Sequence, residues 1–169
     1  MIRKAMLALV LATATVTPVA AEPATLLGVF QNWSAYSSGS GNDLTCYTLS
    51  QPRATQPKGA KRTPIYLMIS DWPGRKVKAE PQIVLGYPVK ENAPAGLAIG
   101  AAKFAFFARG TGSAWLQQLA DNGRLIDTMG KGVSAVASGI SARGTKTSDT
   151  YSLAGFPEAL AKIHDVCKM

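Results

Sequence analysis

Through the middle of the chain no apolar run continues far before glycine, proline or a serine-rich turn cuts it, and this punctuation narrows the fold more than any other feature. Short runs between frequent turns favour antiparallel connections. Val29 to Tyr36 alternates as a strand does, with Val29, Gln31, Trp33 and Ala35 on one face, so Trp33 is expected to anchor a core. The turn-forming Ser37 to Asn42 then leads into a second strand, Leu44 to Ser50, and the two make a hairpin. Ile65, Leu67 and Ile69 alternate with Tyr66, Met68 and Ser70 in a run that is apolar on both sides, which suits an interior position in a sheet. Gln82 to Tyr87, Gly96 to Ile99 and Lys103 to Arg109 supply three further strands. Val133 to Ser138 and Thr147 to Leu153 form a closing hairpin around the polar Ser141 to Lys146 turn.

Two segments read differently. Trp115, Leu116, Leu119, Leu125, Ile126 and Met129 show helix-like spacing interrupted by Asn122 and Gly123, so one short helix is expected near Arg124 to Met129. From Pro157 onward, Phe156, Leu160, Ile163 and Cys167 recur at helical spacing, and Pro157 suits the first helical position. Seven or eight short strands with these helices predict a mainly β fold. Its form is an antiparallel β-sandwich or partly closed barrel with one short internal helix and a C-terminal helix. Strand order is not readable from the patterns.

Residues 1–21 have the parts of a secretory signal: Arg3 and Lys4, an apolar run from Ala5 to Val16, and the small-residue exit Val19, Ala20 and Ala21. The apolar stretch is short and interrupted, which argues against a membrane anchor, and no later stretch is long and apolar enough to span. Residues 22–169 then make a single domain, exported to the periplasm or outer surface. In an oxidising compartment the two cysteines, Cys46 and Cys167, are expected to form one disulfide tying an early strand to the last helix. Cys46, His164 and Cys167 also resemble a partial metal set, but three ligands are too few and oxidation would remove both thiolates, so no metal or other cofactor is expected.

The 18 basic against 10 acidic residues give a formal charge of +8, including Arg3 and Lys4 of the leader. Two loops concentrate the positive charge, one with Arg53, Lys58, Lys61 and Arg62 and the other with Arg75, Lys76 and Lys78. Such a surface attracts polyanions. Nucleic acid is a poor partner outside the cytoplasm, and stacking aromatics are missing from these loops apart from Trp72. Anionic lipid head groups, lipopolysaccharide or a host surface fit better. No nucleophile elbow, dinucleotide loop or Walker loop is present, and His164 is the only histidine. Ser141 to Leu153 packs Arg143, Lys146 and Asp149 with several hydroxyls. Either Asp149 pairs with Arg143 or Lys146 in a tight hairpin, or the segment is a recognition loop.

That segment, the FQNWSAYSSG strand, the TCYTLSQP strand and the late cysteine resemble the invasion-associated locus B family of exported bacterial proteins over nearly the whole mature chain. The resemblance implies a β-rich periplasmic or outer-surface protein, with a link in some bacteria to entry into host cells and no known reaction. Many relatives carry extra cysteines in mid-domain, so a second disulfide of the broader family is absent here. The expected function is a non-enzymatic envelope or host-surface interaction through a basic surface. The competing expectation is an envelope enzyme or small-anion-binding protein with a site near Arg143, Asp149 and Tyr151.

Overall fold

The computed structural model describes residues 23–90, 93–110 and 112–169, so the leader expected over residues 1–21 lies outside the described residues. The strands in chain order are β1 Thr25–Phe30, β2 Trp33–Ser38, β3 Thr45–Ser50, β4 Ala54–Gln56, β5 Tyr66–Trp72, β6 Val77–Val84, β7 Pro94–Ile99, β8 Ala102–Arg109, β9 Ser113–Leu116, β10 Ser134–Ile140 and β11 Lys146–Ser152. Among the described residues two α-helices, α1 Asn122–Lys131 and α2 Phe156–Cys167, complete the set. All the strands join one antiparallel sheet in the order β1-β2-β3-β5-β6-β9-β8-β7-β10-β11-β4. The mainly β class with a short internal helix and a C-terminal helix is therefore as expected, and the sheet stops short of closing into a barrel. Its flanks meet through single bonds rather than a ladder. The Trp33 indole N–H on β2 donates to the Ser152 carbonyl on β11 at 3.0 Å, and the Asn32 N–H donates to the Ala154 carbonyl.

Inward and outward residues alternate as the pleat requires. In β3, Cys46, Thr48 and Ser50 are buried while Thr45, Tyr47 and Leu49 stay half-exposed. The inner face gathers Trp33, Leu67, Ile69, Ile83, Leu97, Phe104, Phe106 and Tyr151 under Leu125 and Met129 of α1 and Phe156 of α2. Each large side chain buried in this way contributes about 1.5 to 3 kcal/mol. Trp33 is the expected anchor, its ring centroid 4.9 Å from that of Phe156.

Four local departures from the pattern have physical causes. Val29 to Tyr36 is two strands, because Gln31 takes a positive φ of 52° and turns the chain between Phe30 and Trp33, leaving Val29 exposed. β4 lies inside the first basic loop, where the flanking Pro52 and Pro57 hide a three-residue edge strand paired to β11. β6 begins at Val77, so Lys78 belongs to a strand rather than to the second loop. A bulge opposite Asp71 shifts the register there, and the Asp71 carboxylate accepts the Ala79 N–H at 2.8 Å. β9 was masked by the helix-like spacing of Trp115 and Leu116, which belong to opposite faces of a strand.

Helix α2 is entered through Gly155, whose φ of +90° turns the chain beside Phe30; a Cβ there would clash with the Phe30 carbonyl oxygen. Pro157 occupies the first helical turn, and the helix buries Phe156, Ala159, Ile163 and Cys167. That face delivers Cys167 to Cys46 on β3, and the two form the disulfide, with Cα atoms 6.0 Å apart. No helix among the described residues is long and apolar enough to cross a membrane.

Candidate functional site

The closing hairpin carries Thr147, Asp149 and Tyr151 on the inner face of β11, and all three are buried. A buried carboxylate needs a cation. Arg62 supplies it: its two terminal nitrogens donate to the two Asp149 oxygens at 2.9 and 2.7 Å. The side chains are only 4% and 0% exposed. Asp149 therefore pairs with neither Arg143 nor Lys146, and Arg62 is not a free surface cation; both expectations are corrected. The cause is strand alternation, which turns Asp149 inward while Lys146 faces out and Arg143 sits on the exposed turn.

Around this pair, Tyr87 shares a hydrogen bond with Thr147, and the Arg62 guanidinium lies over the Tyr87 ring at 5.8 Å. Bonding to Asp149 raises Arg62 above its ordinary value, against the opposing effect of burial. Burial raises Tyr87 above the ordinary phenol range, and the Thr147 hydrogen bond partly offsets the rise. Burial first, then the Asp149 charge, pushes Tyr151 higher still. The Tyr151 hydroxyl is buried and has no hydrogen-bond partner among the described residues. Arg143, Asp149 and Tyr151 do not converge, since Arg143 is exposed on the hairpin turn while the other two face the interior.

The same pair fixes where the exposed cations gather. β4 runs antiparallel to β11, with Gln56 opposite Ser148, so the chain leaving β4 heads for the tip of the β10–β11 hairpin. It returns at Arg62, bonded to Asp149, and at Thr63, whose N–H donates to Gly86. The segment after Gly86 reaches the same place: Val89 bridges Ser141, Lys90 donates its N–H to Ile140, and Ala142 donates to Pro88. Exposed Lys58, Lys61, Lys90, Arg143 and Lys146 thus share one end of the sheet. Among the described residues the carboxylate at this end is Asp149, buried and matched by Arg62. Glu91, next to Lys90 in the chain, lies outside them.

The second basic loop sits at the far end of β5, so the two loops do not make one surface. Arg75 stacks over Trp72 at 4.6 Å, and the Trp72 indole donates to Glu80 at 3.1 Å. Arg75, Lys76 and Lys78 share this end with Asp43, Glu80 and Asp121, none of them buried, a mixed rather than a basic surface. Arg53 is exposed at the start of β4, on the sheet edge, and its N–H donates to Thr150. Of the sequence candidates, Lys58, Lys61 and Lys146 come together with Arg143; Lys90 is an addition. The missed signal was the pairing of the Pro52 to Pro57 segment with β11, which carries the first loop to the hairpin tip.

His164 is not an isolated surface residue. Its Nδ1 lies 2.6 Å from Oδ2 of the fully buried Asp71, and its side chain is 21% exposed. Asp71 stands opposite Cys46 in the ladder, so this contact braces α2 beside the disulfide. Both sulfurs are taken by that bond. Among the described residues no group of three or more histidine, cysteine, aspartate or glutamate side chains is arranged to hold a metal. No protein-family model, curated protein or solved structure matches the chain.

Proposed function

We propose that this is an exported, non-enzymatic interaction protein of the invasion-associated locus B type that binds an anionic envelope component or a host surface through its basic end. One observation carries the reading: Lys58, Lys61, Lys90, Arg143 and Lys146 project from one end of a rigid sheet whose described carboxylate is already neutralised. Loops at the end of a β framework are a common place for recognition. Like charges gathered at one end raise the local concentration of a polyanion and speed its arrival. The disulfide is compatible with export. The resemblance carried by the TCYTLSQP strand, the SARGTKTSDTYSL hairpin and the late cysteine supports the family assignment.

The mature protein is expected to cosediment with vesicles containing a phosphatidylglycerol fraction, or with lipopolysaccharide, and not with purely zwitterionic vesicles. Binding at low salt should weaken several-fold near physiological ionic strength, where the Debye length is about 8 Å. Equal binding to zwitterionic and anionic vesicles, or none to either, would reject the basic-end mechanism.

A further inference from the structure

The outer face of the sheet between β8 and β11 carries an open groove of about 650 Å³. That volume lies in the range of small-molecule sites. Its floor is paved with small residues, because Ala105, Gly96 and Ser138 stand side by side in register across β8, β7 and β10, with Ala98 next to them on β7. Each of these strands is paired on both sides, so its backbone groups are satisfied and offer no ladder to an extended peptide. The occupant must need no hydrogen bonds along its length. Its ends meet charge instead: Lys103 lies one row to one side of the floor on β8, and Lys146 one row to the other side on β11. Strand spacing and rise put these corners about 20 Å apart. No carboxylate lines the groove among the described residues.

We infer that the groove binds a long-chain fatty acid, its alkyl chain on the small-residue floor and its carboxylate at the Lys146 corner. The choice of corner rests on the basic-end reading, since Lys146 belongs to that end; the groove itself does not. An unbranched alkyl chain lies on the small-residue floor without needing hydrogen bonds, and its carboxylate meets the Lys146 ammonium as a simple charge pair.

Calorimetric titration of the folded mature protein with palmitate is expected to give saturable one-to-one binding. Acetate should not bind, and hexadecanol, lacking the charge, should bind roughly two- to fivefold more weakly, as an exposed ion pair would allow. Ala105→Trp fills the floor from an exposed position and should weaken palmitate more than about tenfold, a change of about 1.4 kcal/mol, while vesicle binding persists. If that variant fails to fold, Ser138→Phe fills the same floor from β10. Lys146→Ala should weaken palmitate roughly two- to fivefold, and Lys103→Ala should not. No saturable palmitate binding, undiminished binding after floor filling, or hexadecanol equal to palmitate overturns the assignment. An effect at Lys103 instead of Lys146 overturns the orientation. Palmitate binding without any vesicle binding would sink the basic-end reading and leave the groove.

Discussion

Asp149 and Arg62 form a pair whose halves cannot be removed singly without leaving a buried charge. Asp149→Ala should therefore destabilise the protein by about 3 to 5 kcal/mol, whereas the double change Arg62→Met with Asp149→Leu should recover most of that loss. Urea denaturation of the three variants decides it, and a double variant as weak as the single one would contradict the account. Tyr151 presents the opposite case, a buried hydroxyl with no partner among the described residues. Tyr151→Phe is expected to stabilise by about 1 kcal/mol at neutral pH. Because the folded phenol is raised above its unfolded value, the folded state keeps its proton when the unfolded chain has lost it. That contribution is fully present below about pH 10 and is lost as pH rises above it toward the folded value. The phenylalanine variant should accordingly lose less stability between about pH 10 and 11 in denaturant titrations; parallel alkaline limbs would count against the shift. The strand Thr147 to Leu153 was legible in the sequence, with Asp149 expected to pair with Arg143 or Lys146 rather than to turn inward. The partner of Asp149 was not legible, since Arg62 sits among similar cations in a loop and nothing local distinguishes it.

Helix α2 and the disulfide were legible as an element, because the helical spacing ran through Cys167 and Pro157 marked the start. Strands β4 and β9 were not: one is three residues between prolines, and the other exists through its partners β6 and β8. Such strands are made by pairing rather than by their own pattern. The disulfide spans 121 residues and fixes α2 over β1, β2 and β3. Replacing both cysteines by alanine should cost about 2 to 5 kcal/mol. The His164–Asp71 contact and the packing of Phe156 and Ile163 remain, so the loss should appear with α2 still docked in the native state. Denaturant midpoints and amide exchange across Phe156–Cys167 measure both. An unchanged midpoint, or an α2 already exchanging freely before unfolding, would contradict this division of labour.

At the scale of the molecule, the class was legible from punctuation and alternation, while the charge geometry was not. Two basic loops of similar composition fall at opposite ends of β5, and the long-range pairing of β4 with β11 decides which of them joins the closing hairpin. The far end mixes its cations with Asp43, Glu80 and Asp121, so of the two ends the hairpin end, among the described residues, presents the more concentrated positive surface. Reversing charge at the two ends separates geometry from net charge, because both triple changes alter the total equally. Vesicle cosedimentation should compare wild type, Lys58→Glu/Lys61→Glu/Arg143→Glu, and Arg75→Glu/Lys76→Glu/Lys78→Glu at one ionic strength. The first triple variant is predicted to lose binding to anionic vesicles by more than about tenfold, and the second to change it by less than about threefold. Equal losses in the two would contradict the account.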